Sequence, residues 1–184
     1  MTVEKNNTAL LVIDIQEKIL TAMHDKDMLI NNAEKLINSN NILGLPIIST
    51  VQYPSGLGST ISKLSIIINN NPYHREFEKF EFSCVRNENI FNALKELSCK
   101  NIIVIGIEAH VCVQQTVIDL LEDGNFNPIV VADCISSRKE IDKHFALKRM
   151  RDYGADITTY EAVIFNLLLT SRAPEFKEIS KLIK

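Results

Sequence analysis

The chain has 184 residues, 46% of them hydrophobic and 23% charged, with a formal net charge of −3. That length and balance suit one globular domain, residues 1–184, large enough to bury a real core, and the acidic balance argues against an electrostatic binder of nucleic acid. No apolar run approaches the ~18 residues of a membrane span, and the start MTVEKNN lacks the basic and then long apolar pattern of a secretory leader, so no membrane partner and a cytoplasmic location are expected.

In chain order, Ala9 to Ile15 (ALLVIDI) reads as a buried strand, because it is short and apolar without alternation. Asp25 to Asn40 follows as a helix, with Met28, Leu29, Ala33, Leu36 and Ile37 at three- and four-residue spacing and Gly44 as a stop. Pro46 to Val51 (PIISTV) reads as a more polar strand. Tyr53 to Asn71 opens with Pro, Gly and Ser and reads as a long loop bordering a site. Glu76 to Phe82 (EFEKFEF) alternates as a strand would, although neither of its faces is cleanly polar. A short helix at Ile90 to Leu97 precedes the buried strand Ile102 to Ile107 (IIVIGI).

Cys112 to Glu122 reads as a helix capped by Gly124, and Pro128 to Ala132 (PIVVA) as another buried strand. Ser137 to Tyr153 opens with Ser137 and Glu140 in capping-box spacing. A weaker strand at Asp156 to Tyr160 and helices at Ala162 to Thr170 and Pro174 to Ile183 complete the pass. Strand and helix alternate, which predicts an α/β fold: a mainly parallel sheet of about six strands with helices on both faces, a three-layer α/β/α sandwich.

Ligands of such sheets sit beyond the carboxyl ends of the strands. Asp14 falls there, as either a buried structural acid or a working one. Lys79 is either a solvated residue of the alternating strand or a partner for such an acid. Of the four cysteines, Cys84, Cys99 and Cys134 read as small hydrophobes. Cys112 opens a helix after a strand, where unpaired amides favour a thiolate and can receive an oxyanion, though the bland role of a packed cysteine stays open. His110 invites a Cys–His dyad, but neighbours on a tight turn rarely face one another, so a pocket-lining or surface role is the better reading. Neither cysteines nor histidines show zinc-site spacing, so no metal is expected.

Several stretches, in order from residue 10 to the C-terminus, resemble the isochorismatase-like cysteine hydrolases, and most closely the isochorismatase domain-containing branch: LLVIDIQEK, QYPSGLGST, KFEFSCV, GIEAHVCVQQTVIDLLEDG, ADCISSR, ALKRMRDYGADITTYEAVIF and FKEISKLIK. The resemblance implies a catalytic triad whose members here would be Asp14, Lys79 and Cys112. It also implies a non-proline cis peptide between Ile107 and Glu108, with the backbone N–H groups of Glu108 and Cys112 forming an oxyanion hole. Gln16, on the same pleat face as Asp14, and Ile107 would contact substrate.

The resemblance has limits. Nicotinamidases carry an Asp-x-His metal pair where this chain reads STVQYPSGLG, so nicotinamidase activity and a metal are not expected. A retained cysteine implies acyl chemistry on a small amide or related carbonyl compound rather than vinyl ether cleavage. The expectation is therefore a cofactor-free hydrolase of a small molecule and, from the family, a homo-oligomer. The alternative is a catalytically silent binding or scaffold protein of the same fold.

Overall fold

The computed structural model describes residues 3–184; Met1 and Thr2, which begin the MTVEKNN start, lie outside them. The strands are β1 (Thr8–Ile13), β2 (Ile47–Gln52), β3 (Arg75–Lys79), β4 (Asn101–Ile107), β5 (Asn127–Ser136) and β6 (Asp156–Thr158). The helices are α1 (Glu17–Leu20), α2 (Lys26–Leu43), α3 (Pro54–Leu57), α4 (Ser62–Asn69), α5 (Glu88–Glu96), α6 (Gln114–Asp123), α7 (Glu140–Asp152), α8 (Tyr160–Leu168) and α9 (Phe176–Leu182). Every strand pairing is parallel, in the order β3-β2-β1-β4-β5-β6.

The parallel sheet explains the apolar runs. All of β1 and β4 is buried, since helices cover both faces. Leu10 and Val12 pack with α2, α4, α8 and α9 on one side, while Ala9, Leu11 and Ile13 pack with α5, α6 and α7 on the other. The chain winds outward from β1 in both directions, so the strand order reverses between β1 and β4. That is where a crevice opens beyond the strand ends. Gly106 makes the junction tight: it has φ 131°, and a Cβ there would fall 2.0 Å from the Ile13 carbonyl oxygen.

Three expectations need correction. Tyr53 to Asn71 is not a loop but holds α3 and α4, because Leu64 and Ile68 are one turn apart and bury against the core. The alternating strand stops at Lys79, leaving Phe80 and Phe82 exposed beyond its end. Ser137 does not cap α7, which begins at Glu140 behind Lys139 with no side-chain cap. The Ser137 hydroxyl is instead buried against His110.

Candidate active site

β1 ends at Ile13, and Asp14 turns the chain with a left-handed φ of 52°, a conformation aspartate tolerates better than most residues. Its carboxylate is 1% exposed and both oxygens are engaged: Oδ1 accepts from Thr50 Oγ1 at 2.7 Å and Oδ2 from Lys79 Nζ at 2.6 Å. Lys79, the last residue of β3, pairs in register with Gln52 of β2 and is 0% exposed. The solvated reading of Lys79 is therefore wrong. Its ammonium also donates to Gln52 Oε1 at 2.7 Å and, at 3.3 Å, to the carbonyl oxygens of Glu81 and Phe82.

A buried ammonium is tolerable only with such partners. Burial, the largest single influence, works to lower the Lys79 pKa. The neighbouring Asp14, Cys84 and Cys112 together outweigh it and hold the ammonium above its ordinary range.

Cys112 lies in a π-helical turn, Ala109–Val113, between β4 and α6, rather than on the first turn of an α-helix. The amides of Val111 and Val113 both donate to the Glu108 carbonyl, at 3.0 and 3.2 Å. The thiol is 6% exposed and stands beside Asp14. Burial pushes its pKa up, the negative charge of Asp14 pushes it further, and Lys79 opposes both. Burial and Asp14 thus work against the thiolate that a helix N-terminus would favour, and Lys79 works for it. The preceding Ile107–Glu108 peptide bond is cis. The Glu108 carboxylate is turned away to Arg138, accepting from its backbone N–H at 3.1 Å and from Nε at 3.0 Å.

Gln16 and Ile107 do not line an open pocket. Gln16 shares no pleat with Asp14, because β1 ends at Ile13. The Gln16 amide is fully buried: Nε2 donates to the carbonyls of Gly58 and Gln52, at 2.6 and 3.0 Å, and Oε1 accepts from the Gln52 N–H at 2.8 Å. The Ile107 side chain is fully buried in the core beneath the sheet end.

His110 forms no dyad with Cys112; its Nδ1 pairs with Ser137 Oγ at 2.9 Å and its Nε2 lies 4.0 Å from Asp142. It borders a separate groove of about 590 Å³ along α7, with Phe145, Arg149 and Tyr153 among its walls. Among the described residues no group of three His, Cys, Asp or Glu side chains is placed to hold a metal ion.

Cys84, expected as mere filler, is fully buried beside the same charges. Burial raises its pKa to about 11, with Lys79 and Asp14 pulling in opposite directions. Thr50 and Gln52 were not foreseen as site residues. The available signal was polarity at positions 49, 50 and 52, toward the end of the strand. The sheet thus brings together a buried thiol, carboxylate and ammonium from three strand ends. That set can pass a proton between sulfur and carboxylate beside a fixed positive charge.

Comparison with known proteins agrees with this architecture. The isochorismatase domain family matches residues 8–162. A zebrafish (Danio rerio) isochorismatase domain-containing protein 2 is 36% identical over 96% of this chain and 86% of its own. Among solved structures, the MAR1 ribonuclease of Caenorhabditis elegans superposes with a TM-score of 0.93, at 42% identity, over 100% of this chain and 92% of that one. The Escherichia coli YcaC gene product, described as an octameric hydrolase of unknown specificity, gives a TM-score of 0.91 at 26% identity over 100% and 89%. This chain belongs to the isochorismatase family.

Proposed function

We propose that this isochorismatase-family protein is a metal-independent cysteine hydrolase of a small amide or related carbonyl compound, working through an acyl-enzyme on Cys112. The observation that carries the reading is the fully buried Lys79–Asp14 pair, 2.6 Å between Nζ and Oδ2, set beside the Cys112 thiol where the strand order reverses. Burying an ion pair costs stability that an apolar pair of the same volume would not. A catalytic use accounts for retaining it.

In the proposed cycle the Cys112 sulfur attacks the substrate carbonyl carbon while its proton passes to Asp14, which is the general base. The oxyanion is received by the N–H groups of Glu108 and Cys112. Collapse breaks the carbon–nitrogen bond, and Asp14 returns the proton to the leaving nitrogen. Water then attacks the thioester, Asp14 takes a proton from it, and the thiol is regenerated with release of the acid. Throughout, Lys79 offsets the negative charge that moves between carboxylate and sulfur. The cycle consumes no cofactor. The octameric description of the E. coli relative supports assembly of this chain into a homo-oligomer.

Ammonia release from a panel of small primary amides and N-carbamoyl compounds tests the reading. Cys112→Ala should abolish turnover on any compound hydrolysed while leaving the circular dichroism spectrum intact; full activity in that variant would overturn it. RNA cleavage is a second reading, favoured by the designation of the C. elegans relative. The net charge of −3 supplies no general attraction for a phosphate backbone. Labelled RNA cut by the wild type and spared by Cys112→Ala would move the same thiol to that substrate.

A further inference from the structure

Lys79 has one charged partner, Asp14, and one neutral side-chain partner of equal closeness, Gln52. The neutral partner is itself held from several sides. Gln52 Nε2 donates to the Phe80 carbonyl at 2.8 Å, so the amide cannot flip and its oxygen must face the ammonium. The Gln52 backbone is clamped in turn by the buried amide of Gln16, which accepts from its N–H at 2.8 Å and donates to its carbonyl at 3.0 Å. Gln16 also reaches the Gly58 carbonyl at 2.6 Å, tying the clamp to the turn after α3.

We propose that Gln16 and Gln52 form a two-glutamine clamp that positions Lys79 with an uncharged acceptor, so that the ammonium keeps a charge to share between Asp14 and the Cys112 sulfur. This rests on the cysteine hydrolase reading. Gln52 is a positioning residue: it acts through Lys79 and does not touch the reacting atoms.

The charge arithmetic shows why neutrality at position 52 matters. With Asp14 ionised, the Lys79–Asp14 pair sums to zero, and moving the thiol proton onto Asp14 leaves Lys79 positive beside the new thiolate. A carboxylate at position 52 would cancel that charge and leave the thiolate unsupported. An apolar group there would leave the ammonium one acceptor short, held by Asp14 and by the more distant Glu81 and Phe82 carbonyls alone. The other titratable groups facing this point are Cys84, behind Lys79, and Glu81, at its exposed edge. Glu108 is engaged by Arg138. None of these supplies a second close carboxylate to Lys79, whose only ion-pair partner among the described residues is Asp14.

The test is the pH dependence of Cys112 carbamidomethylation by iodoacetamide, resolved from the other cysteines by mass spectrometry, in wild type, Gln52→Glu, Gln52→Met and Lys79→Ala. Gln52→Glu keeps the shape, adds one charge and gives up the donor to Phe80, so alkylation at a fixed pH below the midpoint should slow about tenfold or more, as for a midpoint raised by about one pH unit. Gln52→Met should raise it less, and a Gln52→Asn variant should restore part of the wild-type profile. A midpoint unmoved by Gln52→Glu in a protein that melts as the wild type does would overturn the clamp. Lys79→Ala separates the two claims. If it raises the midpoint while Gln52→Glu does not, the clamp alone fails. If neither moves it, the Asp–Lys–Cys reading fails as well.

Discussion

Replacing Asp14 by asparagine should produce two effects that point in opposite directions. The change keeps the shape of the side chain and its reach to Thr50, but removes the negative charge beside the Cys112 thiol. That charge raises the thiol pKa, whereas Lys79, now released from its ion pair, lowers it. A unit charge about 4–6 Å away, at an effective dielectric of about 20, is worth about 3–4 kcal/mol, or about 2–3 pKa units. Desolvation is unchanged, so the thiol should ionise about that much earlier. Iodoacetamide should therefore modify Cys112 faster at pH 7 in Asp14→Asn than in wild type. Hydrolysis should be lost in the same variant, because no base remains to carry the proton to the leaving group. Stopped-time alkylation with peptide mapping reads the first effect and ammonia release the second. A variant alkylated more slowly than wild type, or one retaining full turnover, would refute the assignment of Asp14 as the base.

Lys79→Ala leaves the buried Asp14 carboxylate without its counter-charge, and should cost about 3–5 kcal/mol of stability in urea unfolding; the double variant with Asp14→Asn should recover part of that loss. Gly106→Ala would drive a Cβ to 2.0 Å from the Ile13 carbonyl, and should give insoluble protein or a melting temperature lowered by about 8–16 °C. Cys84, with its pKa raised to about 11 from 9.0, binds its proton more tightly folded than unfolded. Its contribution is complete below pH 9 and is lost as pH rises toward 11, so unfolding free energy should fall over that window, less steeply in Cys84→Ala. Size-exclusion chromatography with light scattering should show an assembly larger than a monomer; a single monomeric species at micromolar concentration would refute that proposal.

Sequence patterns carried much of the fold and only part of the site. The apolar runs of β1, β4 and β5 were legible because strands covered on both faces cannot alternate. Helix α4 was hidden because Ile66, Ile67 and Ile68 are β-branched and follow a Pro- and Gly-rich turn; burial of Leu64 and Ile68 against α2 decided the outcome. The π-turn at Ala109–Val113 has no pattern of its own, so Cys112 looked like a helix N-terminus and its thiol looked more acidic than burial allows.

Lys79 in EFEKFEF could not be assigned to a face, because an edge strand carrying aromatic and charged residues on both parities has no apolar side to read. Asp14 and Cys112 were legible as strand-end residues and were given roles by the family resemblance. Gln16 was placed beside the substrate by a pleat that stops at Ile13, three residues short of it, and Thr50 and Gln52 read as ordinary polar strand positions. What they bond to depends on β2 lying between β1 and β3, a long-range fact that no local pattern carries.

In the proposed cycle the acyl group is carried by Cys112. The most direct test is a brief exposure of the protein to an activated ester such as p-nitrophenyl acetate, an acid quench, and peptide-mapped mass spectrometry. An acetyl thioester confined to Cys112 is expected, with a matching burst of nitrophenol, and neither in Cys112→Ala. Acetyl found only on lysines or on Cys84, Cys99 or Cys134, with the burst unchanged in Cys112→Ala, would contradict it.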